Sequence, residues 1–294
     1  MEEIKYFNRE ENSTQVEKVY GDAVVRWLYN SPSGNLLSHF LCKAPISQAY
    51  GFIQSTGLFS QHKVDPFVAK FSINLTEYED RKFTSFNDFF IRKFRPGKRN
   101  FVQESNIMPA FSEARYFGFQ EITDETKIPV KGIYLQAKDL IDNKKWNNVF
   151  SGGPLMIARL CPVDYHRFHF PDDGEVLDEF RVHGLLHSVN PIAIKKKEDI
   201  FITNERHVTI LDTKSFGKIA YIEVGAICVG KIVQSYSGKQ FKRGDEKGYF
   251  LFGGSTVIIL GEKGKWIPSA DILEYSAKNM ETYIKLGSPV AQLL

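Results

Sequence analysis

Four consecutive apolar residues, Val257-Ile258-Ile259-Leu260, follow Phe252-Gly253-Gly254-Ser255-Thr256 without a break. A β-branched run of this kind reads as a strand buried in the core, so the rest of the chain has to be laid out around it. The two glycines ahead of it give the backbone unusual freedom at the junction between loop and strand. A serine held there can be forced against the carbonyl that precedes it. Taken alone, the same tetrapeptide reads first as a glycine-containing hairpin in which Ser255 is a turn residue.

Upstream, short segments rich in β-branched or aromatic residues recur between Gly, Pro, Asp and Asn: Ala114 to Glu121, Pro154 to Cys161, Glu175 to His183, His207 to Leu211, Lys218 to Val224 and Cys228 to Ser235. A helix is expected over Ala137 to Phe150. Strands and long helices do not alternate regularly, which argues against a doubly wound parallel sheet and for an antiparallel, mostly β core. With 294 residues, 43% of them hydrophobic, the chain can bury such a core. The fold class expected is α+β, with a helical region over residues 1–80 and a β-rich core over 81–294.

The helical expectation rests on periodicity. Thr14 and Glu17 form a candidate capping box, and Val16, Val19, Tyr20, Ala23, Val24, Trp27 and Leu28 recur at three- and four-residue intervals until Asn30-Ser31-Pro32-Ser33-Gly34. From Leu36 to Phe59 the chain carries Leu36, Leu37, Phe40, Leu41, Phe52, Ile53, Leu58 and Phe59 with almost no charge beyond Lys43, and reads as short apolar helices. These either pack on the core or present an interfacial lipid surface. Another short helix is expected between Val64 and Glu79. In the following stretch, Lys82 to Arg99, the phenylalanines are expected to face inward and the Arg and Lys residues to stay solvated, which disfavours a nucleic-acid surface.

Net charge is +3, a mild bias toward anionic surfaces. Cys42, Cys161 and Cys228 are odd in number and scattered, fitting a reducing compartment better than a disulfide framework. Met1-Glu2-Glu3-Ile4-Lys5 lacks the apolar core of a signal peptide. No apolar run reaches the roughly 18 residues of a membrane-spanning helix, so a soluble or peripheral protein is expected.

Two further stretches change the reading of Ser255. Asp88 lies in Ser85-Phe86-Asn87-Asp88-Phe89-Phe90, and His166 and His169 lie in Asp164-Tyr165-His166-Arg167-Phe168-His169. Together with Gly253-Gly254-Ser255-Thr256, these resemble the three motifs of the phosphatidylserine decarboxylases, in that family's order and at comparable separations. The resemblance covers most of the chain from about Thr84 onward. Many members have Leu-Gly-Ser-Thr at the processing site; Gly-Gly-Ser-Thr is a variant also found in the family. Leu286-Gly287-Ser288-Pro289 repeats Leu-Gly-Ser, but a proline follows it in place of a strand, and cutting there would release too short a piece to stay docked.

The resemblance implies a chain that processes itself. Ser255 Oγ attacks the Gly254 carbonyl, the amide rearranges to an ester, and elimination followed by hydrolysis leaves a pyruvoyl group and ammonia. A large chain of residues 1–254 and a small chain of residues 255–294 result. The pyruvoyl ketone, the implied cofactor, forms a Schiff base with the amine of phosphatidylserine and accepts electrons as carbon dioxide leaves, giving phosphatidylethanolamine. By resemblance, His169 paired with Asp88 is the base on Ser255 during maturation, and His166 sits near the substrate during decarboxylation. Ser188 and Asn190, in a family-like Ser-Val-Asn segment, are candidates for substrate contact. The implied partner is phosphatidylserine in a membrane, with the protein peripheral on the cytoplasmic face of the cell membrane and a homo-oligomer left open. No metal is expected: Asp164 precedes His166 and His169, but no third strong ligand lies at a recognisable spacing and the catalytic metal motifs are absent. The alternatives are a pyruvoyl-dependent decarboxylase of a soluble amino acid and a non-catalytic membrane-binding protein.

Overall fold

The computed structural model describes residues 3–18, 22–42, 53–123, 127–128, 133–134, 136–194, 196, 199–226, 231–253 and 255–294. Within it the strand Ser255–Gly261 is buried along its whole length, because it has a neighbour on each edge and cover on each face. Gly217–Val224 pairs antiparallel on one side and Leu155–Leu160 on the other. These belong to a ten-stranded sheet that runs, edge to edge, Gln240–Phe241, Gly174–Val182, Arg206–Thr213, Gly217–Val224, Ser255–Gly261, Leu155–Leu160, Ala114–Phe119, Glu281–Ile284, Lys5–Asn8 and Ser13–Val16. The described pairings in this sheet are antiparallel except for Lys5–Asn8 on Glu281–Ile284. The fold is therefore α+β with a mostly antiparallel core, as expected. Ser255–Gly261 and Glu281–Ile284, both from the last forty or so positions, are separated by Leu155–Leu160 and Ala114–Phe119.

Side chains alternate across a strand, so Ser255 and Val257 share one face and Thr256 takes the other. Register places Thr256 beside Arg159, and Arg159 beside Arg115. Both arginines are buried, and acids surround them. Arg159 grips Glu281 through Nε and Nη2 (2.7 and 2.5 Å) and reaches Glu17 at 2.6 Å. Arg115 meets Asp164 at 2.6 Å and Glu17 at 3.2 Å.

That network corrects the expected first helix. Thr14 lies in the strand Ser13–Val16, paired with Phe7 in a hairpin, and the Glu17 carboxylate is committed to the two arginines. Helix begins at Asp22 and ends at Asn30, and a second helix, Pro32–Leu41, starts on the proline, whose missing N–H costs nothing in a first turn. Val24, Trp27, Leu36, Leu37, Ile53, Leu58 and Phe59 are exposed, Leu58 at 84%. Among the described residues no helix is long and apolar enough to cross a membrane.

The helix expected over Ala137 to Phe150 stops at Ile141, because Asp142 adopts a left-handed conformation and the Asn143 side chain caps the N–H of Lys145. In the Lys82 to Arg99 stretch Phe86, Phe89 and Phe90 are buried as expected. Arg95 stays exposed as expected, but two arginines depart: Arg92 is fully buried, and the Arg99 side chain is largely enclosed, bound to Glu113 and Glu77.

Candidate active site

Ser255 is the first residue of its strand, and no part of it is exposed. Gly253, two residues earlier, has φ +150°, a conformation open to glycine and rarely to residues with a Cβ. Gly254, the expected other half of the cleavage site, lies outside the described residues. The approach to the junction is held from the helix Phe86–Phe90: Asn87 Oδ1 accepts the N–H of Phe252 at 2.6 Å, and Phe86 and Phe90 pack edge-on against the Phe252 ring.

His166 is the histidine that touches Ser255. Its Nδ1 lies 3.0 Å from Ser255 Oγ, and its Nε2 lies 2.8 Å from the carbonyl oxygen of Cys161. A carbonyl can only accept, so Nε2 carries the proton and donates it. Nδ1 is left with a lone pair facing the serine hydroxyl, the arrangement a general base requires. Burial is the main reason the imidazole stays neutral, pushing its pKa down to about 3; the charge of Arg92 works in the same direction, and the bond to Cys161 opposes them. Phe90 stacks on the ring with centroids 3.7 Å apart.

The other expected partners are placed elsewhere. His169 ends the short strand Arg167–His169; its Nδ1 donates to the Gly244 carbonyl at 2.9 Å, and its Nε2 faces the Tyr165 hydroxyl at 3.5 Å. Asp88 sits in the first turn of Phe86–Phe90, held by both Nη atoms of Arg81 at 2.8 Å and by the Thr84 N–H at 2.8 Å. Its own N–H is capped by Ser85 Oγ, the N-cap of that helix, while its carboxylate reaches back to the N–H of Thr84, one residue before the cap. Burial opposes the Asp88 charge, but Arg81 and Thr84 outweigh it and hold the carboxyl below its usual range. The structure thus brings His166 and Ser255 together and leaves His169 and Asp88 each with other partners.

Two contributors were absent from the sequence reading. Asn87 was legible only as a polar residue inside a phenylalanine run, and the Cys161 carbonyl, being backbone, leaves no trace in residue type. The segment His187 to Asn190 is pinned by Asn204, whose amide accepts from the His187 N–H (3.0 Å) and donates to the His187 and Gly225 carbonyls (2.8 Å each). Gly287 and Ser288, the rejected second site, form a turn before Pro289–Leu293, with Gly287 at φ +82°.

A buried serine at a glycine junction, facing a neutral imidazole, is an arrangement in which the hydroxyl can be activated as a nucleophile. Comparison with known sequences agrees. The sequence model of phosphatidylserine decarboxylase matches residues 86–292, a span that holds Asp88, His166, His169 and Ser255. The chain is 40% identical to the phosphatidylserine decarboxylase proenzyme of Clostridium novyi (strain NT), over 99% of this chain and 100% of that one. It is 39% identical to the proenzymes of Desulfitobacterium hafniense (strain Y51) and Clostridium tetani (strain Massachusetts / E88), over 98% of this chain and 97% and 98% of theirs. The chain belongs to the phosphatidylserine decarboxylase family.

Proposed function

We propose that this chain is a proenzyme that cuts itself between Gly254 and Ser255 and then decarboxylates phosphatidylserine to phosphatidylethanolamine. The observation that carries the reading is the 3.0 Å contact from the bare Nδ1 of His166 to the buried hydroxyl of Ser255. His166 takes the hydroxyl proton as Oγ adds to the Gly254 carbonyl, and it returns that proton to the departing nitrogen so that the amide becomes an ester. The Cys161 carbonyl holds the tautomer, as the acid does in a hydrolytic triad. Loss of the α-proton of residue 255 then breaks the Cβ–Oγ bond and expels the Gly254 carboxylate, and hydrolysis of the dehydroalanine so formed leaves the ketone and ammonia.

The pyruvoyl group supplies an electron sink for an amine substrate losing carbon dioxide. Ser255 fits its formation because the side chain is enclosed, so bulk water has little opportunity to hydrolyse the ester first. After the cut His166 remains beside residue 255, where it is placed to deliver a proton to the product. His169 and Asp88 stay in the proposed set as the pair the family resemblance implies. The exposed side chains of Val24, Trp27, Leu36, Leu37, Ile53, Leu58 and Phe59 support peripheral docking on a bilayer; the cytoplasmic face is the side proposed.

Mass spectrometry of purified active protein tests the whole reading. Two chains are expected, residues 1–254 and residues 255–294, the second blocked at its start by a keto group. Active protein that remains one chain of 33.7 kDa would end it. Assay with free serine beside phosphatidylserine vesicles separates the lipid reading from decarboxylation of a soluble amino acid.

A further inference from the structure

Beside the core of the sheet lies a second, smaller apolar cluster, built from Val64, Phe67, Phe86, Phe89 and Phe90, and it takes in Phe252 from the approach to Ser255. Asn87 sits in the middle of the helix that supplies three of those rings, and is only 3% exposed. Burying an amide costs free energy unless its donor and its acceptor are both used. Here both are. The Phe252 N–H can only donate, so Oδ1 faces it, at 2.6 Å, and Nδ2 is thereby turned to the hydroxyl of Ser55, also at 2.6 Å. The helix is fixed in turn: Ser60 Oγ accepts the N–H of Phe86 at 3.0 Å, and the Ile91 carbonyl accepts from Arg167 Nε at 2.8 Å.

What this arrangement secures is one side of the scissile bond. Ser255 is locked from its own side, because its strand is paired from its first residue, Ser255 beside Leu160. Ahead of it stand Gly253 and Gly254, the residue type with the most backbone freedom to lose. The bond to the Phe252 N–H, with the Phe252 ring held edge-on by Phe86 and Phe90 at centroid distances of 4.9 and 5.1 Å, ends that freedom two residues before the reacting carbonyl. We propose that Asn87 is a positioning residue for self-cleavage: it anchors Phe252 so that only two glycines separate fixed backbone from Ser255, and the Gly254 carbonyl is presented to the serine hydroxyl. The proposal rests on a cut between Gly254 and Ser255, and it holds whichever histidine takes the hydroxyl proton. Asn87 makes and breaks no covalent bond; it raises the share of precursor in which the two reacting groups are within reach of each other.

The test uses the full-length precursor, made cell-free and chased while intact mass follows its conversion. Asn87→Leu, which keeps the bulk but cannot accept from Phe252, should mature about three- to tenfold more slowly, the weight of one neutral hydrogen bond. Asn87→Asp keeps an acceptor in place and should recover most of the rate. Asn87→Ala should be slow like Asn87→Leu and guards against a Leu variant that misfolds, with melting in an uncleavable Ser255→Ala background as the check on folding. Hydroxylamine, which cuts the ester and not the amide, adds a readout that a merely loosened fold would not give. Cutting of Asn87→Leu should stay slow by the same factor in its presence, because the ester itself is late in forming. Maturation of both apolar variants at the wild-type rate, rapid cutting of them by hydroxylamine, or an Asn87→Asp variant as slow as they are overturns the proposal. Failure of the underlying reading looks different: wild-type protein would be active as one uncut chain.

Discussion

The sheet and the helices beside it invert the usual rule in opposite directions. In the sheet, charge is inside: Arg115, Arg159, Glu17, Asp164 and Glu281 are buried together, and Lys247 and Glu223 form a second enclosed pair at 2.6 Å. In the described helices between Asp22 and Ser60, Leu28 and Tyr29 are buried but a set of apolar side chains is outside, with Leu58, Leu36, Val24 and Phe59 the most open. Each inversion has a cost, either desolvation of charge or hydration of hydrocarbon. The difference teaches that the two regions answer to different surroundings. The sheet encloses Ser255 and His166 among buried ion pairs, while the helices leave hydrocarbon in the open, where the proposed contact with a bilayer would cover it.

The sharpest way to break this division is Ser255→Ala. It should abolish both self-cleavage and decarboxylation, because no oxygen remains to start the rearrangement; gel analysis for one chain or two decides it. Next is the pair of histidine variants. His166→Ala should slow maturation by about two to four powers of ten, whereas His169→Ala should slow it less if the contacts seen here are those that act. The opposite ranking would return the base to His169 and Asp88.

Glu17 tests the sheet's internal charge without touching the reacting atoms. Burial alone would raise its carboxyl pKa, but Arg159 and Arg115 outweigh burial and bring it from 4.5 down to about 2. A folded pKa below the unfolded one stabilises the fold above about pH 4.5, and that stability drains away as pH falls toward 2. The shift corresponds to about 3 kcal/mol. Thermal melts at neutral pH should show Glu17→Gln less stable by roughly that amount, with the gap closing on acidification. The smallest effect belongs to the helices. Leu58→Ser with Phe59→Ser should leave self-cleavage unchanged and weaken sedimentation with anionic vesicles several-fold, each exposed side chain being worth up to about 1.5–3 kcal/mol if buried in the acyl layer. Unchanged vesicle binding would make the apolar face something other than a bilayer contact.

Much of this organisation was legible in residue order. Val257 to Leu260 announced a doubly covered strand because only such a strand tolerates an unbroken β-branched run, and the segments around Ile157 and Ile222 followed the same logic. What misled was local likeness. Thr14 and Glu17 have capping-box spacing, yet the acid was taken by Arg159, more than a hundred residues away, and long-range pairing overrode the local signal. Arg92 was expected in solvent because arginine usually is, and no local pattern reports that a charge is enclosed. Both histidines were located, and the resemblance gave the maturation base to His169, whereas the ring that touches Ser255 is that of His166. His166 lies in the irregular segment just before the strand Arg167–His169, and residue type alone does not report which ring that segment turns toward Ser255.

The placement of Ser255–Gly261 and Glu281–Ile284 on either side of two strands from the other product gives the proposed cut an unusual outcome. The fragments are woven, with the hairpin formed by Lys5–Asn8 and Ser13–Val16 laid over the far border as a selvedge. Dilution cannot part them, since separation requires ripping open the middle of the fabric. The mature catalyst should therefore age, melt and turn over as one body, even though its backbone has been severed at the very spot where it works.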